Sequence, residues 1–200
     1  MATDAIVDEP EAAPARRRVP RWAIEVVETV ALTLVIFLVI QNLVAQPFEV
    51  EQHSMDRTFS EGQYVLVDRL SHLWSPYAAG QVVVFRAPEG AERPAPLIKR
   101  VIAVGGQSVD IEDGRVLVDG RELAEPYLFT GDDGVAEPTE SGTTHWLVPD
   151  GELFVMGDHR RVSADSRVFG PIPASSVIGR AMLRYWPLSA LSLLETPVEP

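Results

Sequence analysis

Charge is absent from 20 consecutive positions, Thr29 to Phe48, in a run centred on VALTLVIFLVI at 30–40. As a helix, a run of that length reaches roughly 30 Å, about the hydrocarbon thickness of a bilayer. The pattern predicts a single transmembrane helix over 22–46, ended by Pro47. Beyond Pro47 the texture changes. FEVEQ, QYVLVDRL at 63–70, QVVVFRA at 81–87 and IKRVIAV at 98–104 are short, β-branched and bounded by Gly, Pro or Ser, as strands are. Asp113-Gly114 and Asp119-Gly120 stand between short apolar runs. Asp-Gly in that setting predicts a hairpin, because a type I′ turn needs positive φ at both central residues. Strand texture returns at HWLVP, at GELFVMGD and at VIGRAMLRYW over 177–186.

The segments between and around these runs carry no apolar period. Residues 1–21, rich in Ala, Pro, Glu and Arg, read as a disordered tail. APEGAERPAP at 87–96 is a loop by its prolines, and TGDDGVAEPTESGTT at 130–144 is an acidic loop. Residues 188–200 form a C-terminal tail whose WPLSALSLL is too short to span a membrane. The outline is mainly β: an N-terminal anchor carrying one β-rich domain over 47–187. Arg16, Arg17, Arg18 and Arg21 precede the apolar run, and no comparable cluster follows it closely. The positive-inside rule then orients the chain with its N-terminus in the cytoplasm and the β domain outside. The competing reading is a cleaved secretory leader, since LVA at 43–45 loosely imitates a small-residue cleavage site.

Composition narrows the function classes. The net charge of −12 argues against nucleic acid as a partner, which needs a basic face. With no cysteine there is no disulfide, thiol nucleophile or thiolate metal site. The four histidines lack the i, i+4 spacing of a zinc helix, and the acidic residues of 130–144 fit no cation-loop template, so neither metal nor cofactor is expected. A Ser-His-Asp triad can be drawn from Ser54, His159 and Asp158 or Asp165, but no Gly-x-Ser-x-Gly accompanies it. One composition fact is sharper. Of 17 basic residues 16 are arginine, and the exception is Lys99. Lysine can lose its proton where arginine stays charged at any working pH.

Three stretches carry a more specific signal: EVEQHSMDRTF at 49–59, LIKRVIAVGG at 97–106 and FVMGDHRRVSADSRVFGPI at 154–172. In this order behind an N-terminal anchor they resemble the type I signal peptidases, also called leader peptidases. These are membrane-anchored serine–lysine proteases that remove signal peptides from exported proteins. The resemblance covers roughly residues 22–187 and implies a signal-peptidase-like β-rich catalytic domain held at the cell membrane by one span. It implies Ser54 as nucleophile and Lys99 as general base, with Arg100 and Asp158 in a charged framework beside them. Ser163 matches a hydroxyl that orients the base, and Asp165 and Arg167 match a supporting ion pair. The chemistry is coherent. A serine hydroxyl needs a positioned base, and an ammonium must be desolvated before it can act as one near neutral pH. The partners implied are preprotein signal peptides and membrane lipid, with Val50, Met55, Leu97 and Ile98 as candidate cleft lining for small substrate side chains.

The chain departs from the family pattern at several positions. Gln52 stands where Ser or Gly is frequent, two residues before the nucleophile; its amide, with the Ser54 N–H, is the candidate oxyanion donor. Arg57 replaces the usual proline, Phe59 a leucine, and His159 the asparagine of the third motif. Two other readings remain open at this level: a self-cleaving serine–lysine protease on a related scaffold, and a membrane-anchored β module that binds exported proteins without catalysis.

Overall fold

The computed structural model describes residues 20–39, 45–89 and 95–194. The N-terminal tail, the end of the apolar run at 40–44, part of the 87–96 loop and the last six residues lie outside them. The chain divides into two units, residues 1–38 and 39–200. In the first, α1 (Arg21–Val39) is a continuous helix whose large apolar side chains, Val27, Leu32, Leu34, Val35 and Phe37 among them, are exposed along its length. Among the described residues no helix is long and apolar enough to cross a membrane. The predicted span continues to residue 46, and its stretch at 40–44 is not described.

The second unit is built from β1 (Ala45–Glu49), β2 (Tyr64–Asp68), β3 (Val82–Phe85), β4 (Leu97–Val104), β5 (Ser108–Glu112), β6 (Arg115–Val118) and β7 (Arg121–Glu122). It continues with β8 (His145–Leu147), β9 (Glu152–Met156), a one-turn helix α2 (Ser166–Phe169), β10 (Ile172–Pro173), β11 (Val177–Trp186) and β12 (Ser192–Leu193). Ala45 and Gln46 therefore belong to a strand and not to the expected helix. Pro47 does not end a helix but sits inside β1, opposite Leu66. Proline is tolerated there because β1 is an edge strand, where a missing N–H can face away from the ladder.

The large sheet runs β1-β2-β11-β3-β4-β9-β10, with β12 paired to β11, and the small sheet runs β7-β6-β5-β8. All the paired strands are antiparallel. Both expected hairpins form: Asp113 and Gly114 take φ of 48° and 79°, and Asp119 and Gly120 take 51° and 75°, so β5-β6-β7 fold back on two tight turns. The C-terminal tail is not wholly outside the domain, since Leu193 pairs with Leu183 of β11.

Strand β4 organises the core. Its six residues from Ile98 to Ala103 are all buried, so it lacks the alternation of a half-exposed strand. Ile98 joins one apolar cluster with Val50, Met55, Val65 and Val84. Ile102 and Ala103 join a second with Val109, Val118 and Phe154, and Val101 a third with Val83, Phe85 and Val155. A lysine and an arginine lie inside this covered strand. Burying their charges is costly unless each finds partners or, for lysine, loses its proton.

Candidate active site

Ser54 lies in a single 3₁₀ turn, His53–Met55, entered from Gln52 in extended conformation. Met55 is fully buried in the first apolar cluster and plugs the turn into the core. Opposite it, Lys99 projects from β4, and its Nζ lies 2.6 Å from Ser54 Oγ. Both residues are withdrawn from water, at 2% and 1% exposure. Burial lowers the Lys99 ammonium to about 8, against an upward pull from Asp165 and Asp158, and Arg167 adds to the fall. No carboxylate lies within ion-pair distance of Nζ among the described residues. The arrangement is what base catalysis by an amine needs: hydrogen-bond contact with the hydroxyl, and a charged form made costly.

Arg100, one residue on, has the opposite surroundings, because successive side chains leave a strand on opposite faces. Its Nε and Nη2 donate to Asp158 Oδ1 and Oδ2 at 2.8 and 2.6 Å, and Nη1 donates to the Gly80 carbonyl at 2.8 Å. Thr58 Oγ1 accepts from Arg100 Nη2 at 3.0 Å and donates to Asp158 Oδ2 at 2.5 Å. The guanidinium lies 3.9 Å from the centre of the Tyr127 ring. This charge is fully used, as a buried arginine requires.

The third motif wraps the dyad from behind. Asp165 caps α2 and accepts from the Gly157 N–H, and Arg167 grips it through Nε and Nη2, each at 2.9 Å. Burial alone would raise the Asp165 carboxyl, but the Arg167 grip and the Gly157 bond outweigh it and hold it below the usual range. Gly157 is a close-approach glycine. A Cβ there would come within 2.5 Å of the Ser54 carbonyl oxygen and 2.6 Å of Ser163 Cβ. The Ser163 hydroxyl is buried in this contact and bears on the Asp165 carboxyl, which it helps to hold low; among the described residues no hydrogen bond joins it to Lys99.

A cleft opens between the end of β1 and the start of β4, lined by Glu49, Gln52, Val84, Pro96, Leu97 and Ile98, among others. Of the four candidate lining residues, Leu97 and Ile98 face this cleft. Val50 and Met55 are not part of its lining and pack in the first apolar cluster. Gln52 lines the cleft two positions before Ser54. Several contributors carry no sequence signal at this level: Thr58 and Tyr127 around Arg100, and Glu125 and Thr139, which bind the buried Arg160. Their arginine partners lie 21 to 42 positions away, beyond any local pattern.

The comparisons with known proteins bear on this geometry. A family profile described as "Signal peptidase, peptidase S26" matches residues 23–186. The chain belongs to that family. A signal peptidase relative from Synechocystis sp., named probable signal peptidase I-1, is 36% identical over 163 residues, covering 79% of this chain and 80% of its own. Signal peptidase I of Leptolyngbya laminosa is 32% identical over 178 residues, 86% of this chain and 84% of its own. Signal peptidase IB of Staphylococcus aureus is 30% identical over 177 residues, 83% and 91%. A crystal structure of a signal peptidase I from Enterococcus faecalis is 29% identical and superposes with a TM-score of 0.46, covering 54% of this chain and all but 2% of that one, 98% in all.

Proposed function

We propose that this chain is a signal peptidase I, an endopeptidase that cuts signal peptides from exported preproteins with Ser54 and Lys99. The carrying observation is the buried 2.6 Å contact between Lys99 Nζ and Ser54 Oγ, in a chain matched by the family almost throughout. A preprotein enters the cleft as an extended segment between the end of β1 and the start of β4, where backbone groups can pair as in strand addition. Neutral Lys99 takes the Ser54 proton as the oxygen attacks the scissile carbonyl. The oxyanion is met by the Ser54 N–H, with Gln52 as second donor. The collapsing intermediate expels the new amino terminus, which takes the proton back from Lys99, and leaves an acyl-enzyme on Ser54. Water activated by the same amine then releases the signal peptide.

The membrane part of the reading rests on the apolar run at 29–48, the exposed apolar surface of α1 and the arginine cluster before it. These support a single pass with the N-terminus cytoplasmic and the β domain outside. Ser54 lies 15 residues beyond Val39, the last residue of α1, and on this reading that short tether keeps it near the outer surface, where a signal peptide's cleavage site emerges. The test is cleavage of a preprotein by the full chain in detergent, with Ser54→Ala and Lys99→Arg alongside. Wild type should yield mature product and both variants none, since arginine keeps the charge but cannot deprotonate. Full activity of Lys99→Arg would remove the dyad.

A further inference from the structure

Two of the chain's departures from the family pattern, Arg57 and His159, reach the same loop from opposite sides of the nucleophile turn. Arg57 takes φ of 86°, a left-handed value that a proline ring, held near −65°, cannot adopt. From there Nη1 donates to the Leu128 carbonyl at 2.9 Å and to Thr130 Oγ1 at 3.3 Å. The His159 ring stacks on Phe129, with centroids 4.0 Å apart and planes inclined by 19°. Its Nε2 lies 3.2 Å from Glu137 Oε1. Residues 128–137 are themselves closed: Glu137 N–H donates to the Phe129 carbonyl, and Thr130 bridges to Ala136.

The same two residues connect this loop to Ser54. The His159 N–H donates to the Ser54 carbonyl at 3.0 Å, and its Nδ1 lies 3.6 Å from Asp56 Oδ2 on the nucleophile turn. Arg57 is part of that turn. On its inner side the turn is anchored by Met55 in the core, whereas on its outer side His53 and Arg57 are exposed. Beyond Thr58, which Asp158, Arg100 and Arg184 hold, the outer side is held by what Arg57 and His159 grasp. Small displacements of a nucleophile cost rate steeply, because attack needs near-aligned atoms.

We propose that Arg57 and His159 are positioning residues that clamp residues 128–137 against the nucleophile turn and so keep Ser54 in its reacting geometry. The clamp rests on the reading of Ser54 as nucleophile. It acts through the loop: among the described residues no hydrogen bond or ion pair joins Arg57 to His159 directly. The loop is also tied by the Phe129 N–H to the Asp158 carbonyl and by the Arg161 N–H to Glu137; losing either clamp residue should loosen its seat on the turn, so the second loss should add little.

The experiment measures kcat and KM on a preprotein-derived peptide for the full chain in detergent micelles, as wild type, Arg57→Ala, His159→Ala, the double variant and Arg57→Lys. Each alanine variant should lower kcat about tenfold with KM little changed, and the double variant should lose no more than about twentyfold. Arg57→Lys, which keeps a donor, should recover most of the loss. Thermal midpoints measured in parallel separate this from unfolding, and if the double variant does not fold, the single variants and Arg57→Lys decide. Unchanged kcat in either alanine variant, losses that multiply in the double variant, or a lysine variant no better than alanine would overturn the clamp. A wild-type chain that cleaves no preprotein would instead remove the reading of Ser54 on which it stands.

Discussion

Lys99 Nζ meets Ser54 Oγ at 2.6 Å, while Arg100, the next residue on the same strand, is gripped on two nitrogens by Asp158. Adjacent basic residues thus take opposite solutions to burial. Arginine retains its charge and is compensated, whereas lysine has no ion-pair partner among the described residues and its charged form is disfavoured.

The first consequence is a pH dependence of rate. With Lys99 lowered to about 8, the neutral amine is the minor form at pH 7 and the major form above 8. The rate constant kcat/KM should rise about tenfold per pH unit below that value and level off above it. A profile flat from pH 6 to 9 would show that the amine is not the titrating base.

The same burial has a stability cost. Lys99 is lowered from 10.5 to about 8; at about 1.4 kcal/mol per unit this is a penalty of about 3 kcal/mol, in full below pH 8. Between 8 and 10.5 the folded chain is already neutral while the unfolded chain is still protonated, so the penalty fades as pH rises. Lys99→Met should therefore melt higher than wild type at pH 7, with an advantage that shrinks toward pH 10. A thermal midpoint that falls at pH 7 would contradict this.

Gly157 should not tolerate a methyl group. Its Cβ would run into the Ser54 carbonyl and the Ser163 side chain, and backbone on one side leaves little room to give. Gly157→Ala should lose about 1–3 kcal/mol of stability and most of its peptide cleavage, because the displaced atoms belong to the nucleophile turn. Chemical denaturation and steady-state kinetics on the purified variant check the two effects separately.

Asp158→Ala should be among the more damaging substitutions away from the dyad. It strands the buried Arg100 guanidinium and removes the acceptor of Thr58. Removing one partner of a buried pair costs about 3–5 kcal/mol. Arg100→Met combined with Asp158→Leu should recover part of that loss in denaturant melts, since no charge is then left unpaired.

Much of the β architecture was legible because its signals are local. Two Asp-Gly turns lie where positive φ is needed, and VIGRAMLRYW coincides with β11 from end to end. The misread elements had non-local causes. Pro47 looks like a helix terminator until β1 is seen to be an edge strand. Where Val50 and Met55 pack is likewise set by distant strands, which gather both into the first apolar cluster. Ser163 occupies the right motif position, and only the fold shows that its hydroxyl bears on Asp165.

By itself the sequence determined which side chains were chemically available: one lysine among arginines, a serine in the first motif, and acidic and basic residues in the third. The order of those motifs was enough to point to a family. What only the tertiary structure decided is which of these groups meet and in what medium. Ser54 and Lys99 are 45 positions apart, and Arg100 and Asp158 are 58 apart. An amine is disposed to lose its proton, and a guanidinium to keep its charge, through the packing that removes water and supplies or withholds a countercharge. That is a property of the folded interior and not of the residue.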